Sequence, residues 1–168
     1  MDKYDQPCMS IQCVEFLEYL IEKYDIKNIF EFGSGGSTIF FSKLVVEKGS
    51  VISIEHDKFF FDRLKNLPQN INLRYEPIKE NYPIVFDFGK EFYDLIFIDG
   101  IKRIECMKNA VSKSYLIAIH DSERKEYVPG FNYIESFGYR DISPEGINIK
   151  VYHNANPSCE LRLPESTS

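Results

Sequence analysis

Four short runs in this chain are apolar almost from end to end: Asn28-Ile29-Phe30-Glu31-Phe32, Val51-Ile52-Ser53-Ile54-Glu55, Asp94-Leu95-Ile96-Phe97-Ile98 and Tyr115-Leu116-Ile117-Ala118-Ile119. A strand with one face in water alternates apolar and polar residues, whereas a strand covered on both faces reads as a nearly continuous apolar run. Segments of helical character fall between these runs, over 37–46, over 58–66, and around Ile104, Met107 and Val111. Repeated strand–helix units force parallel strands joined by right-handed crossovers, with helices on both faces of the sheet. This chain therefore folds as an α/β protein with three layers.

The remaining elements fit around that frame. Ser10 caps a helix whose apolar stripe is Ile11, Val14, Leu17, Ile21 and Tyr24, with Glu15, Glu18 and Glu22 opposite. A third strand covers Ile71 to Tyr75, and residues 76–93, containing Pro77 and Pro83, read as irregular with at most a short helical turn. Two late strands are expected at 137–142 and 147–152, around the turn Pro144-Glu145-Gly146. Residues 1–153 make one domain, and 154–168 a flexible tail. In 168 residues with 43% hydrophobic content there is enough apolar surface for a core without disulfides.

Charge and cysteine usage exclude several classes. With 20 Lys and Arg against 26 Asp and Glu, the net charge of −6 lacks the basic footprint of a nucleic-acid binder. Cys8, Cys13, Cys106 and Cys159 match neither a zinc knuckle nor a CxxC pair, and no secretion signal precedes them. No apolar run approaches the roughly 20 residues that span a bilayer. A cytoplasmic protein with reduced thiols, away from membranes, is expected.

Ligands of parallel sheets bind outside the carboxyl ends of the strands, and the informative residues gather there. Glu31-Phe32-Gly33-Ser34-Gly35-Gly36-Ser37-Thr38 joins the first strand to its helix. Glycines let backbone turn sharply and approach a ligand, and a helix start offers free N–H groups. Glu55 ends the second strand twenty-two residues after Gly33, where a carboxylate can accept both hydroxyls of a ribose. Nicotinamide dinucleotides and S-adenosylmethionine (SAM) both fit this pair. A dinucleotide loop wants a glycine at the sixth position of G-x-G-x-x-G, where this chain has Thr38.

With its acidic residue two before the first glycine and its third glycine directly after the second, the loop resembles motif I of class I SAM-dependent methyltransferases. Glu55-His56-Asp57 looks like that family's acidic motif after the second strand. The segments ending Asp99-Gly100 and Ile119-His120-Asp121 look like its fourth and fifth strands. The run Phe-Gly-Ser-Gly-Gly-Ser-Thr, with the later Ile-Asp-Gly and His120-Asp121-Ser122-Glu123-Arg124, is distantly similar to the glucuronoxylan O-methyltransferase group. The resemblance spans roughly residues 10–152. It implies a Rossmann-like three-layer α/β/α sandwich with a mostly parallel seven-stranded sheet, its two late strands forming the family's reversed hairpin with a C-terminal antiparallel strand.

It also implies SAM as cofactor. Gly33, Ser34, Gly35, Ser37, Thr38, Glu55, His56, Asp57 and Asp99 would surround it, and Glu31 would help hold its ammonium. Asp57 can equally cap the helix beginning at Lys58. Asp99, His120 and Asp121 form the expected catalytic group: Asp99 or His120 accepts the proton of a substrate hydroxyl, and Asp121 orients His120 or the substrate. A second reading makes Asp99 and Asp121 ligands of a divalent cation, as in some small-molecule O-methyltransferases; it is not the favoured one, and no metal ligand is assigned. Arg103 and Arg124 read as holders of an anionic substrate or as surface charges.

The expected acceptor is a hydroxyl of a small molecule or glycan. No substrate domain is inserted after the fifth strand, so the acceptor pocket is either shallow or finished by a second subunit in a homo-oligomer or by ordering on binding. The segment before Ser10, with Tyr4 and Pro7, is placed over the cofactor. Competing readings are an NAD-dependent oxidoreductase and a SAM-binding subunit without catalysis.

Overall fold

The computed structural model describes residues 6–78, 82 and 92–155. Its elements in chain order are α1 (Ile11–Lys23), β1 (Asn28–Phe32), α2 (Gly36–Leu44), β2 (Ser50–Glu55), α3 (Lys58–Arg63), β3 (Ile71–Tyr75), β4 (Tyr93–Ile98), α4 (Arg103–Ala110), β5 (Ser114–His120), α5 (Val128–Ser136), β6 (Tyr139–Asp141) and β7 (Ile149–Asn154), with a single 3-10 turn at Lys125–Tyr127. The seven strands make one sheet in the order β3-β2-β1-β4-β5-β7-β6. All pairings from β3 to β5 are parallel, and β7 runs antiparallel to both β5 and β6. This is the expected Rossmann-like three-layer sandwich with its reversed terminal hairpin.

Strand period two sends neighbouring residues to opposite faces. Ile29, Val51, Leu95, Phe97 and Leu116 pack under α1 and α2. Phe30, Phe32, Ile96, Ile98 and Ile119 pack under α4 and α5. Burial on both faces removes the central strands from water, which is why they carry no polar alternation. The one acid at the start of β4 serves the sheet itself. Asp94 accepts the Lys27 and Asn28 N–H groups at 2.9 and 2.8 Å, fixing where β1 begins.

Several boundaries differ from expectation, each for a physical reason. Ser10 does cap α1, accepting the Cys13 N–H, but the buried stripe is Cys13, Leu17, Leu20 and Ile21, while Ile11 is exposed. The helix after β2 stops at Arg63 rather than residue 66; it buries none of its residues, and Asn66 takes a left-handed φ of 55°. Helix α5, with Pro129 in its first turn and Gly130 after it, is not among the elements expected from the sequence. Proline is tolerated in a first helical turn, and Gly130 lies where a Cβ would meet the Met107 sulfur at 2.4 Å. The helix ends at Ser136, and Gly138 reverses the chain at φ +86°, so the strand expected at 137–142 shrinks to three residues. The last strand sits two residues later than expected, and Asn154, assigned to the tail, is buried within it. The rest of that tail from 156 on, and most of the irregular 76–93 segment, lie outside the described residues. Among the described residues no helix is long and apolar enough to cross a membrane.

The register decides where chemistry can occur. Phe32 pairs with Ile54 on one side and Ile98 on the other, and Ile98 pairs with Ile119. One residue further along each strand stand Glu55, Gly33, Asp99 and His120, side by side at the carboxyl edge. Gly33 holds that edge together: its φ is +93°, and a Cβ there would lie 2.6 Å from the Gly100 nitrogen. Gly35 has φ 178° and nothing near its missing Cβ. Gly33→Ala should therefore cost about 2–4 kcal/mol in urea denaturation, from left-handed strain plus backbone overlap, whereas Gly35→Ala should stay within about 1 kcal/mol of wild type. Equal effects at the two sites would contradict this packing.

Candidate active site

A crevice of about 820 Å³ opens over the carboxyl edge of β1, β2 and β4. Of the residues singled out from sequence, Gly33, Ser34, Gly35, Ser37, Glu55, His56 and Asp99 line it. Gln6 and Cys8 line it from the N-terminal side. The strap crosses so tightly that a Cβ on Gly36 would fall 1.8 Å from the Gln6 carbonyl oxygen. Tyr4 lies outside the described residues.

The loop rests on a buried carboxylate. Glu31 is wholly buried, and its oxygens accept hydrogen bonds from Ser37 Oγ and Thr38 Oγ1, both at 2.5 Å, and from Ser53 Oγ at 2.6 Å. Thr38 Oγ1 also accepts the Gly35 N–H at 2.9 Å. Burial outweighs the three hydroxyl donors and raises the Glu31 carboxyl from 4.5 to about 7. Glu31 and Thr38 thus lie beneath the loop, turned away from the crevice. The expected contact between Glu31 and a ligand ammonium is replaced by a supporting role, because every oxygen of the side chain is already enclosed by the turn it carries.

Glu55 ties the same loop from the side. Its Oε2 accepts the Ser34 N–H at 2.8 Å, and its Oε1 accepts the N–H groups of His56 and Asp57 at 2.9 and 2.8 Å. Three backbone donors fix the carboxylate at the crevice wall and leave it acceptor capacity toward a ligand hydroxyl. Asp57 caps α3, accepting the Phe59 N–H at 2.8 Å, and does not line the crevice. Of its two readings, the cap is the one realised.

The cluster at the ends of β4 and β5 is arranged differently from the expected trio. Asp99 faces the crevice with its side chain 28% exposed, while His120 and Asp121 stand behind it. Asn148 Oδ1 accepts from the Cys13 thiol at 2.9 Å, which turns its amide nitrogen toward His120 Nε2 at 3.3 Å. An amide N–H can only donate, so Nε2 is the acceptor and Nδ1 carries the proton, donated to Asp99 Oδ1 at 3.0 Å. With both ring nitrogens engaged and the residue buried, His120 has no lone pair to offer a substrate. Asp99 is the base candidate, and His120 positions it. Asp121, at a left-handed φ of 52°, accepts from Arg124 at 2.7 Å.

Arg103 and Asn148 are the participants that sequence reasoning misplaced or missed. The Arg103 guanidinium is buried and lies 3.0 Å from Asp99 Oδ1 and 3.3 Å from Asp121 Oδ2. It also donates to the carbonyls of Asp99, Gly100 and His120. The four-residue spacing from Asp99 to Arg103 was visible; the third partner, Asp121, depended on the β4–β5 register. Nothing local in the sequence links Asn148 to His120.

No family model and no curated protein matches the sequence. Solved structures do match its fold. An O-methyltransferase from Bacillus cereus in complex with SAH (S-adenosylhomocysteine) superposes with a TM-score of 0.61 at 18% identity, over 89% of this chain and 84% of that one. A methyltransferase-like protein from Silicibacter pomeroyi gives 0.63 at 19% identity, over 89% of each chain. An N-methyltransferase from Bradyrhizobium japonicum gives 0.57 at 12% identity, over 86% of this chain and 96% of that one. The chain has the class I methyltransferase fold.

Because Glu31 takes up its proton more readily folded than unfolded, its contribution to stability is complete below about pH 4.5. It is lost between there and about pH 7, a change of about 3 kcal/mol. Glu31→Gln should remove this term. Comparing thermal unfolding of the two proteins from pH 5 to pH 8, wild type should lose stability relative to the variant as pH rises. Parallel pH profiles would contradict the buried acid.

Proposed function

We propose that this chain binds SAM in the crevice and transfers its methyl group to a hydroxyl oxygen of a small molecule or glycan. The observation that carries the reading is the single row formed by the Gly33 loop, the Glu55 carboxylate and the Asp99 carboxylate on one wall of a crevice of this size. Glu55 accepts from the ribose hydroxyls, the backbone of residues 33–36 lies against the amino-acid portion, and Asp99 stands at the reacting end. The B. cereus neighbour is described as an O-methyltransferase in complex with SAH, the product such a reaction leaves.

The reaction is a direct displacement. A lone pair of the acceptor oxygen attacks the sulfonium methyl carbon, the carbon–sulfur bond breaks, and its electron pair stays on sulfur as the neutral thioether of S-adenosylhomocysteine. The hydroxyl proton passes to Asp99. Alignment of the two reactants can supply roughly 7–11 kcal/mol, while a general base contributes about 10²–10⁴-fold, or roughly 3–5 kcal/mol. Positioning is the larger part, and the doubly held Asp99 serves both ends.

The dinucleotide reading fares worse on this geometry. The Gly35 N–H that would meet a pyrophosphate is taken by Thr38 Oγ1, and a buried carboxyl lies directly beneath the turn. A binding subunit without catalysis shares the donor site and differs only in turnover. On the acceptor side stand Arg124 and Tyr127 of the same chain, beside the Lys102–Glu105 segment; a second subunit in a homo-oligomer would only deepen this pocket. A net charge of −6 favours a discrete acceptor over a nucleic acid.

Radiolabelled methyl transfer from SAM to a panel of hydroxyl-bearing small molecules and glycans tests this reading. With an acceptor in hand, Asp99→Asn should lower kcat by about 10²–10⁴-fold while changing S-adenosylhomocysteine affinity by less than about tenfold. Full turnover by Asp99→Asn would remove Asp99 as the base.

A further inference from the structure

Asp99, His120 and Asp121 each offer a possible ligand atom, all within 4.8 Å of one another, which is the geometry from which a divalent-cation site is assembled. We propose that this cluster takes no divalent cation, because the guanidinium of Arg103 fills the position and supplies the positive charge from within the chain.

The donor set does not fit a metal ion. A hard cation needs six or more oxygen ligands at about 2.0–2.6 Å with lone pairs free to point at it. One oxygen of each carboxylate is already occupied. Asp99 Oδ1 accepts from both Arg103 Nη2 and His120 Nδ1, each at 3.0 Å. Asp121 Oδ2 is shared by Arg103 at 3.3 Å and Arg124 at 2.7 Å. The imidazole has no spare lone pair, since Asn148 engages Nε2 and Nδ1 bears the proton. Two arginines face two carboxylates around a neutral histidine, so the cluster is electrically balanced and lacks the excess negative charge that draws a dication.

Arg103 has nowhere else to go. Its side chain is 8% exposed, and three backbone carbonyls from the ends of β4 and β5 hold its N–H groups. The Tyr127 ring lies 5.4 Å from it. The backbone is bent to aim it: Lys102, the residue before, takes a left-handed φ of 49° at the start of α4, a conformation that costs a lysine energy and persists where surroundings demand it. Arg103 is therefore a positioning residue. It holds Asp99 pointed into the crevice, and this half of the inference rests on the methyl-transfer reading; the exclusion of metal stands on the cluster alone.

Paramagnetic titration of the full chain with Mn²⁺, read from the loss of the free-ion signal, decides between an internal and a bound cation. Wild type should leave the Mn²⁺ signal unchanged at equimolar, submillimolar concentrations. Arg103→Met should bind Mn²⁺ at least about tenfold more tightly than wild type, and adding Asp121→Asn should abolish that binding. Arg103→Lys, which keeps the charge, should remain without it. Submillimolar Mn²⁺ binding by wild type that Asp121→Asn removes would overturn the proposal without recourse to any Arg103 variant, as would a folded Arg103→Met that binds no better than wild type. Where an acceptor supports turnover, wild-type activity should survive EDTA, and its loss would likewise overturn the proposal. If no acceptor is turned over, the functional reading fails while the Mn²⁺ titration still gives its answer.

Discussion

The parallel register of β1 against its two neighbours governs everything at the carboxyl edge. Phe32 is flanked by Ile54 and Ile98, and Ile98 by Ile119, so four strands end in one line and present Glu55, Gly33, Asp99 and His120 in order. A slip of one residue in a strand would send its side chains to the opposite face and remove its last residue from the row. The register is secured at both ends: Asp94 grips the amino end of β1, and Gly33 fits against the Gly100 backbone at the other. Hydrophobic burial drives the sheet together, but these two contacts set where it stops.

Two acids near this edge do opposite work, and environment is what separates them. Glu31 is buried, which favours its protonated form against the opposing pull of three hydroxyl donors, and it shapes the loop from below. Asp99 sits at the crevice wall, where its Oδ1 accepts from a guanidinium and an imidazole N–H. One side chain is enclosed beneath the loop, and the other is held facing the crevice. The guanidinium that orients Asp99 also bridges the ends of β4 and β5, so the fold and the reactive group share one fastening.

Much of this was legible in the residues because parallel, doubly covered strands write themselves as apolar runs, and ligands gather where such runs end. The glycine turn, Glu55 and Asp99 were found that way. What was hidden depended on distance or on context. Helix α5 was not expected, and its Gly130 is needed because Met107 occupies the space a side chain would take. His120 looked like a free base until Asn148, twenty-eight residues later, claimed its Nε2 through β7. Arg103 read as a holder of an anionic substrate or as a surface charge, since only the folded sheet brings Asp121 to it. Glu31 was located correctly and assigned outward, although the hydroxyls at 37, 38 and 53 that turn it inward were all in view.

On the proposed reading, the crevice over Gly33 and Glu55 accepts an adenosyl amino acid and not a dinucleotide. Isothermal titration of the full chain with S-adenosylhomocysteine and with NAD⁺ measures this directly. The structure predicts one S-adenosylhomocysteine bound per chain, weakened at least about tenfold by Glu55→Gln through the loss of a charged acceptor, and no heat of binding with NAD⁺. Binding of NAD⁺ in place of S-adenosylhomocysteine, or S-adenosylhomocysteine affinity indifferent to Glu55→Gln, would contradict it.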